Sequence, residues 1–183
     1  MSAMEYSDRI GIKVFSAANQ PDWGELIAVF QSWIQQQNIA GHLLIDVHDY
    51  RHIQQGPGIL LVGHEGNFSF DLTEGRPGLA YFRKQPLEGS PTDRFATILS
   101  TVLSGCSLLE NNTTMPYRVR FERKELRIIG NDRLYAPNLP STFDLLQPVV
   151  RDALAQLFPA ANYSLCQAVN SPKERFTMTA IQN

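Results

Sequence analysis

Charge of one sign, long apolar runs and spaced cysteines are all missing from this 183-residue sequence. Lys and Arg number 16 against 18 Asp and Glu, for a formal net charge of -2 and a pI near 6.1. A general nucleic-acid or membrane-surface binder needs a basic surplus, so both classes are excluded, and only a local basic patch stays open. No window approaches the roughly 20 apolar residues that a membrane-spanning helix needs. The start, MSAMEYSDRI, has no apolar core behind a basic residue, which a secretory signal would show. The 2 cysteines, Cys106 and Cys166, form no framework of spaced pairs and read as reduced thiols on apolar faces of different elements. The expectation is a cytoplasmic protein with no membrane partner.

Complete catalytic signatures are missing too. Serines occur in no G-x-S-x-G elbow. Gly56-Pro57-Gly58 precedes a strand, whereas phosphate cradles open helices, so it reads as a turn. Neither cysteine lies in an electropositive sequence context that would activate it.

What is present is an ordinary globular composition, 43% apolar and 19% charged, in a chain long enough to bury a core. Residues 1–9 are polar and patternless and read as a disordered tail; residues 10–183 read as one domain. Ile10, Ile12 and Val14 alternate with Gly11 and Lys13, which predicts a first strand. Asp22, with Glu25 three residues later, opens a helix over about 23–37, whose apolar face is Trp23, Leu26, Ile27, Phe30, Trp33 and Ile34. A second strand follows at 43–47, making the N-terminal strand, helix and strand a candidate βαβ unit. Asp49–Gln55 is expected to form a helical turn, and strands are predicted at 59–62, 68–71 and 79–84.

Ser90 and Pro91 start a second helix, with Phe95, Ile98, Leu99, Val102, Leu103 and Cys106 as its buried stripe. Residues 117–128 read as a hairpin turning at Arg123-Lys124. A third helix opens at Ser141, and Pro148 is expected to split off its first turn, because an interior proline costs about 3 kcal/mol or more. A last hairpin is predicted at 163–169 and 176–181. The fold class is α+β: a mostly antiparallel sheet built of hairpins, with about three amphipathic helices packed on it.

Polar chemistry concentrates between His42 and Lys84, which hold the 4 histidines of the chain. His48 and His52 lie four apart, the spacing at which two helical imidazoles grip one metal, and Asp46 with His64 could complete the shell. The Glu required beside the first histidine of an HExxH pattern is absent, and hydrogen-bonded turn histidines explain the same residues. His64, Glu65 and Asp71 are candidates for acid–base catalysis, since a carboxylate can orient an imidazole. Consecutive strand residues point to opposite faces, however, and His64-Glu65 reads equally well as a turn. His48, His52, Asn67 and Arg76 are binding candidates. Arg118, Arg120, Arg123, Lys124, Arg127 and Arg133 are interleaved with Glu122, Glu125 and Asp132, which makes a solvated, ion-paired face and not a nucleic-acid surface.

Two functions follow. The first is a binding or assembly module for a ligand or a protein partner, including a second copy of the chain. The alternative is a small His/carboxylate-dependent hydrolase or lyase-like enzyme, with or without a metal, with its site in 46–76. No cofactor is identified by the sequence.

Overall fold

Strand-forming alternation dominates the chain, and in the computed structural model, which describes residues 9–17, 21–115, 118–168, 171 and 173–183, it produces one sheet. The elements follow in the order β1 (Ile10–Ser16), α1 (Trp23–Gln36), β2 (Leu44–Asp49), β3 (Ile59–Gly63), β4 (Gly66–Asp71), β5 (Gly78–Arg83), α2 (Pro91–Glu110), β6 (Phe121–Gly130), α3 (Pro140–Leu157), β7 (Tyr163–Gln167) and β8 (Thr177–Gln182). A 3₁₀ turn at Thr73–Gly75 lies between β4 and β5. The strand order is β2-β3-β4-β5-β1-β6-β8-β7, and every neighbouring pair is antiparallel. The α+β reading therefore holds. β1 and β2 run parallel, as a βαβ unit requires, but three strands lie between them.

The three helices cover one face of this sheet. α1 lies over β2 and β3, α2 over β1 and β5, and α3 packs against α2 and β7. α1 begins where Asp22 accepts a hydrogen bond from Glu25 N at 3.1 Å, and it buries Leu26, Val29, Phe30 and Trp33. The Trp33 ring meets Phe68 edge-on, with centroids 6.1 Å apart, and Trp23 meets Phe70 at 6.0 Å. α2 opens with a capping box in which the Ser90 hydroxyl and the Asp93 carboxylate satisfy each other's backbone N–H groups. Its Gly105 lies so close to the sheet that a Cβ there would come within 2.9 Å of Leu79 and 3.0 Å of Phe68. The apolar core is this sandwich of helix stripes and one strand face. No helix among the described residues is long and apolar enough to cross a membrane.

Several local expectations are corrected. The segment after Asp49 forms turns and no helix, because the Asp49 carboxylate accepts from Arg51 N at 3.0 Å and from the Arg51 guanidinium, closing a tighter loop. The expected hairpin around Arg123-Lys124 is a single ten-residue strand, β6. Val14 pairs with Leu126 while Phe15 pairs with Glu122, so the pattern break is a bulge and not a reversal. α3 runs unbroken through Pro148; the proline and Asp144, whose carbonyl loses its partner, both lie on the exposed side. Cys166 is exposed on the edge strand β7, not shielded, whereas Cys106 is buried; both thiols are free. Residues 1–8 of the expected tail and the turn at Asn170 and Pro172 lie outside the described residues, while Arg9 is ion-paired to Asp132 at 2.9 Å.

Candidate functional site

The face of the sheet turned away from the helices is polar, yet its centre is as buried as the core. Register places His48, Leu60, Ser69, Ala80, Lys13, Arg127, Thr179 and Cys166 in one row across all eight strands. Ser69 is 1% exposed and Lys13 2%. Loops make the cover: the turn at 55–57, the 3₁₀ turn at Thr73, and the segments at Asn131 and Arg175 close over β3, β4 and β5. They leave a cleft of about 250 Å³, lined by Gln55, Gly56, Pro57, Leu60, Asn67, Ser69, Asp71, Thr73, Phe82, Asn131 and Arg175.

Each wall has a local cause. Gly11 makes room for the Phe82 ring, since a Cβ there would stand 2.2 Å from it. On the floor, Ser69 sits between Leu60 and Ala80 in register, and its hydroxyl oxygen is inaccessible and has no hydrogen-bond partner in the protein. Leaving such a group unpaired costs about 1–3 kcal/mol. Asp71 closes one end of the cleft. It accepts from Lys13 Nζ at 2.5 Å and from Thr73 N at 3.0 Å, and the Thr73 hydroxyl donates to it as well. Burial pulls the Lys13 ammonium below its ordinary pKa, and the Asp71 carboxylate offsets part of that pull. The guanidinium of Arg127 stands beside Lys13 in the row, with Nη2 3.3 Å from a Glu74 oxygen and Nε unpartnered.

Of the residues singled out from the sequence, Asn67 and Asp71 line this cleft. The others are not gathered there. Asp46 and His48 form an exposed pair on β2 at 3.4 Å. His52 sits exposed in the 50–56 turn, its ring 6.2 Å from that of Tyr50. His64 and Glu65 are the two-residue connection between β3 and β4, and the Glu65 carboxylate accepts from Leu43 N at 2.7 Å. Burial raises the Glu65 pKa, but the backbone N–H donors of Leu43 and Glu65, with His64 and His42 nearby, bring it below the usual range. His64 N bonds to Leu43 O, so His64 lies at the opposite end of β2 from His48, roughly 16 Å away at strand rise. Among the described residues no three of His, Cys, Asp and Glu are grouped to hold a metal ion. Arg76 makes a two-pronged ion pair with Glu125 at 2.7 and 2.9 Å and lies 3.7 Å over the Phe15 ring.

His42 has a different role. Its Nδ1 lies 3.0 Å from Ala40 O and its Nε2 2.6 Å from the Tyr81 hydroxyl. A carbonyl can only accept, so Nδ1 donates, and in the neutral ring Nε2 accepts from the tyrosine. Tyr81 is buried, which raises its pKa although Arg83 nearby lowers it, and its hydroxyl sits where a Gly66 Cβ would come within 2.5 Å. The two glycines around His64-Glu65 thus serve close packing.

Sequence reasoning missed Ser69, Lys13, Phe82, Asn131 and Arg175. Lys13 had one visible signal, as a lone charge inside an otherwise apolar strand. No protein-family model matches the chain, and no curated protein matches it.

Proposed function

We propose that the protein is a non-catalytic binding module that takes a small polar ligand in the cleft on the open face of its sheet. The observation that carries this reading is the Ser69 hydroxyl, buried on the cleft floor without a protein partner amid amides, a carboxylate and a guanidinium. Buried polar groups are almost always hydrogen-bonded, and an orphan on the floor of a concavity supports a partner that the protein does not supply, a bound molecule or an ordered water. The hydrolase or lyase-like alternative has less support, because no histidine lines the cleft.

The test is a two-dimensional NMR titration with a panel of small polyols, hydroxy acids and phosphate esters. Saturable shifts confined to Ser69, Asn67 and neighbouring residues are expected with at least one class. Ser69→Ala should fold with unchanged or slightly higher stability, within about 1 kcal/mol, since its hydroxyl has no protein partner to lose. If no probe perturbs the cleft, the reading fails.

A second reading, assembly with another copy of the chain, is favoured by β7. This edge strand carries no charged residue and has one side unpaired among the described residues, whereas edge strands are ordinarily protected by charges or bulges. Sedimentation over a concentration series tests it: a monomer at all concentrations removes this reading.

A further inference from the structure

We infer that the ligand of the open-face cleft is a small organic anion, its carboxylate or phosphate group held at Arg175 and by side-chain amide N–H groups. This rests on the reading of the cleft as a binding site.

Three amide side chains line the cleft, and each has its oxygen in use. Gln55 Oε1 accepts from Glu74 N at 3.2 Å, Asn67 Oδ1 from Gly63 N at 3.3 Å, and Asn131 Oδ1 from Arg175 Nη1 at 3.3 Å. A backbone N–H and a guanidinium only donate, so the oxygen and nitrogen of each amide are assigned by their partners. What these side chains have left to offer is three NH₂ groups. The carboxylate of the lining, Asp71, receives Lys13 and Thr73 on Oδ1, which leaves Oδ2 as the one free carboxylate oxygen. Three free amide NH₂ groups and a guanidinium against one free carboxylate oxygen make a cleft with more donors than acceptors, which suits a ligand rich in acceptors.

Charge points the same way. Arg9, Arg51, Arg76, Arg123 and Arg127 are each ion-paired. Arg175 is not ion-paired among the described residues: it meets the neutral Asn131 amide and the face of Phe82, 5.8 Å from the ring centroid. Asp71 is neutralised from beneath by Lys13, so the lining presents one uncompensated positive charge. A guanidinium steadied on an aromatic ring, with N–H groups to spare, is suited to take a carboxylate or phosphate on two prongs. The volume, about 250 Å³, falls below the roughly 300–1,000 Å³ of drug-sized sites. It fits an anionic head on a short polar body. Leu60 and Phe82 supply the apolar contact for that body.

NMR titrations at constant ionic strength with lactate, inorganic phosphate, glycerol 3-phosphate and neutral glycerol test this. The side-chain NH₂ signals of Gln55, Asn67 and Asn131 should move saturably with at least one anion. Lactate against the two phosphates tells which head group is preferred, and glycerol should bind at least tenfold more weakly. Arg175→Gln should weaken the anion at least tenfold, whereas Arg151→Gln, on the exposed face of α3, should not. Asn67→Asp keeps an acceptor for Gly63 N but replaces an NH₂ donor by a negative charge, and should abolish anion binding in a folded protein. If glycerol binds as well as the anions and Arg175→Gln changes nothing, the anion inference falls while the cleft reading survives. If neither charged nor neutral probes perturb the cleft, both fall. Shifts scattered over surface arginines would also overturn the inference.

Discussion

The two faces of the sheet are made by alternate residues of the same strands, and both are buried at the centre, but by different means. In β4, Phe68 and Phe70 lie under α1 and α2 among other apolar side chains, where burial itself is the stabilising term. Ser69 and Asp71, one residue along, are buried under loops, where each polar atom needs a partner or costs free energy. The helix face has no orphaned side-chain polar atom among the described residues; Ser69 Oγ and Arg127 Nε, both in the row on the open face, are the two that do. The apolar side maximises stability, and the polar side gives some up. That asymmetry is the ground of the proposed binding site.

The largest expected effect is on the helix face. Phe30 is fully buried, with its ring 5.1 Å from that of Trp33. Phe30→Ala should cost about 3–5 kcal/mol by urea denaturation. A loss below about 1 kcal/mol would break the comparison, since that face would then not be the stabilising one. Next comes the buried pair of the open face. Lys13→Met leaves the Asp71 carboxylate without its counter-charge and should cost about 3 kcal/mol, near the low end for a broken buried pair because Thr73 still donates to Asp71. Adding Asp71→Asn should recover most of that loss. If the double variant is no more stable than the single one, charge is not what couples the two residues.

A smaller effect belongs to the rim of the open face. Arg76 holds the Glu125 carboxyl below its usual pKa, against the opposing pull of burial. The folded value is lower than the unfolded one, so the stabilisation is present above the unfolded value and is lost as pH falls through the folded one. Both groups are partly exposed, 45% and 25%, which limits the contribution to below about 1 kcal/mol. Arg76→Gln should return the Glu125 titration, followed by NMR, to the ordinary carboxyl range; an unmoved titration would assign the shift to another group. The smallest test leaves stability untouched. A native thiol titration should show one fast equivalent from exposed Cys166 and a second, from Cys106, only on unfolding. Burial also pushes the Cys106 thiol well above its usual pKa. Two fast equivalents would mean that the helix face opens readily.

The helices and most strands were legible because their signals are local. The stripe from Trp23 to Ile34 and that from Phe95 to Cys106 repeat at helical spacing and are buried along the expected sides. Misreadings came where one local pattern serves two structures: charged residues at Arg123-Lys124 interrupt alternation equally well in a turn and in a bulge. The histidine-rich stretch drew notice for its composition, yet Asp46, His48, His52 and His64 spread along and beyond β2. Asn67 and Asp71 were singled out as members of the polar stretch between His42 and Lys84, Asp71 as a carboxylate that could orient an imidazole. Arg175 was out of reach, as it meets Phe82 from almost a hundred residues away.

By itself the sequence determined the periods of two and 3.6, the caps of α1 and α2, and which face of each helix would be apolar, because those depend on neighbours a few residues apart. Only the tertiary structure decided that β1 lies between β5 and β6. That order sets Lys13 beside Ala80 and Arg127 and brings residues 55, 69, 82, 131 and 175 around one cleft. Alternation says that a side chain leaves the apolar face, but whether it then meets water, a loop or a ligand depends on long-range pairing that no local pattern encodes.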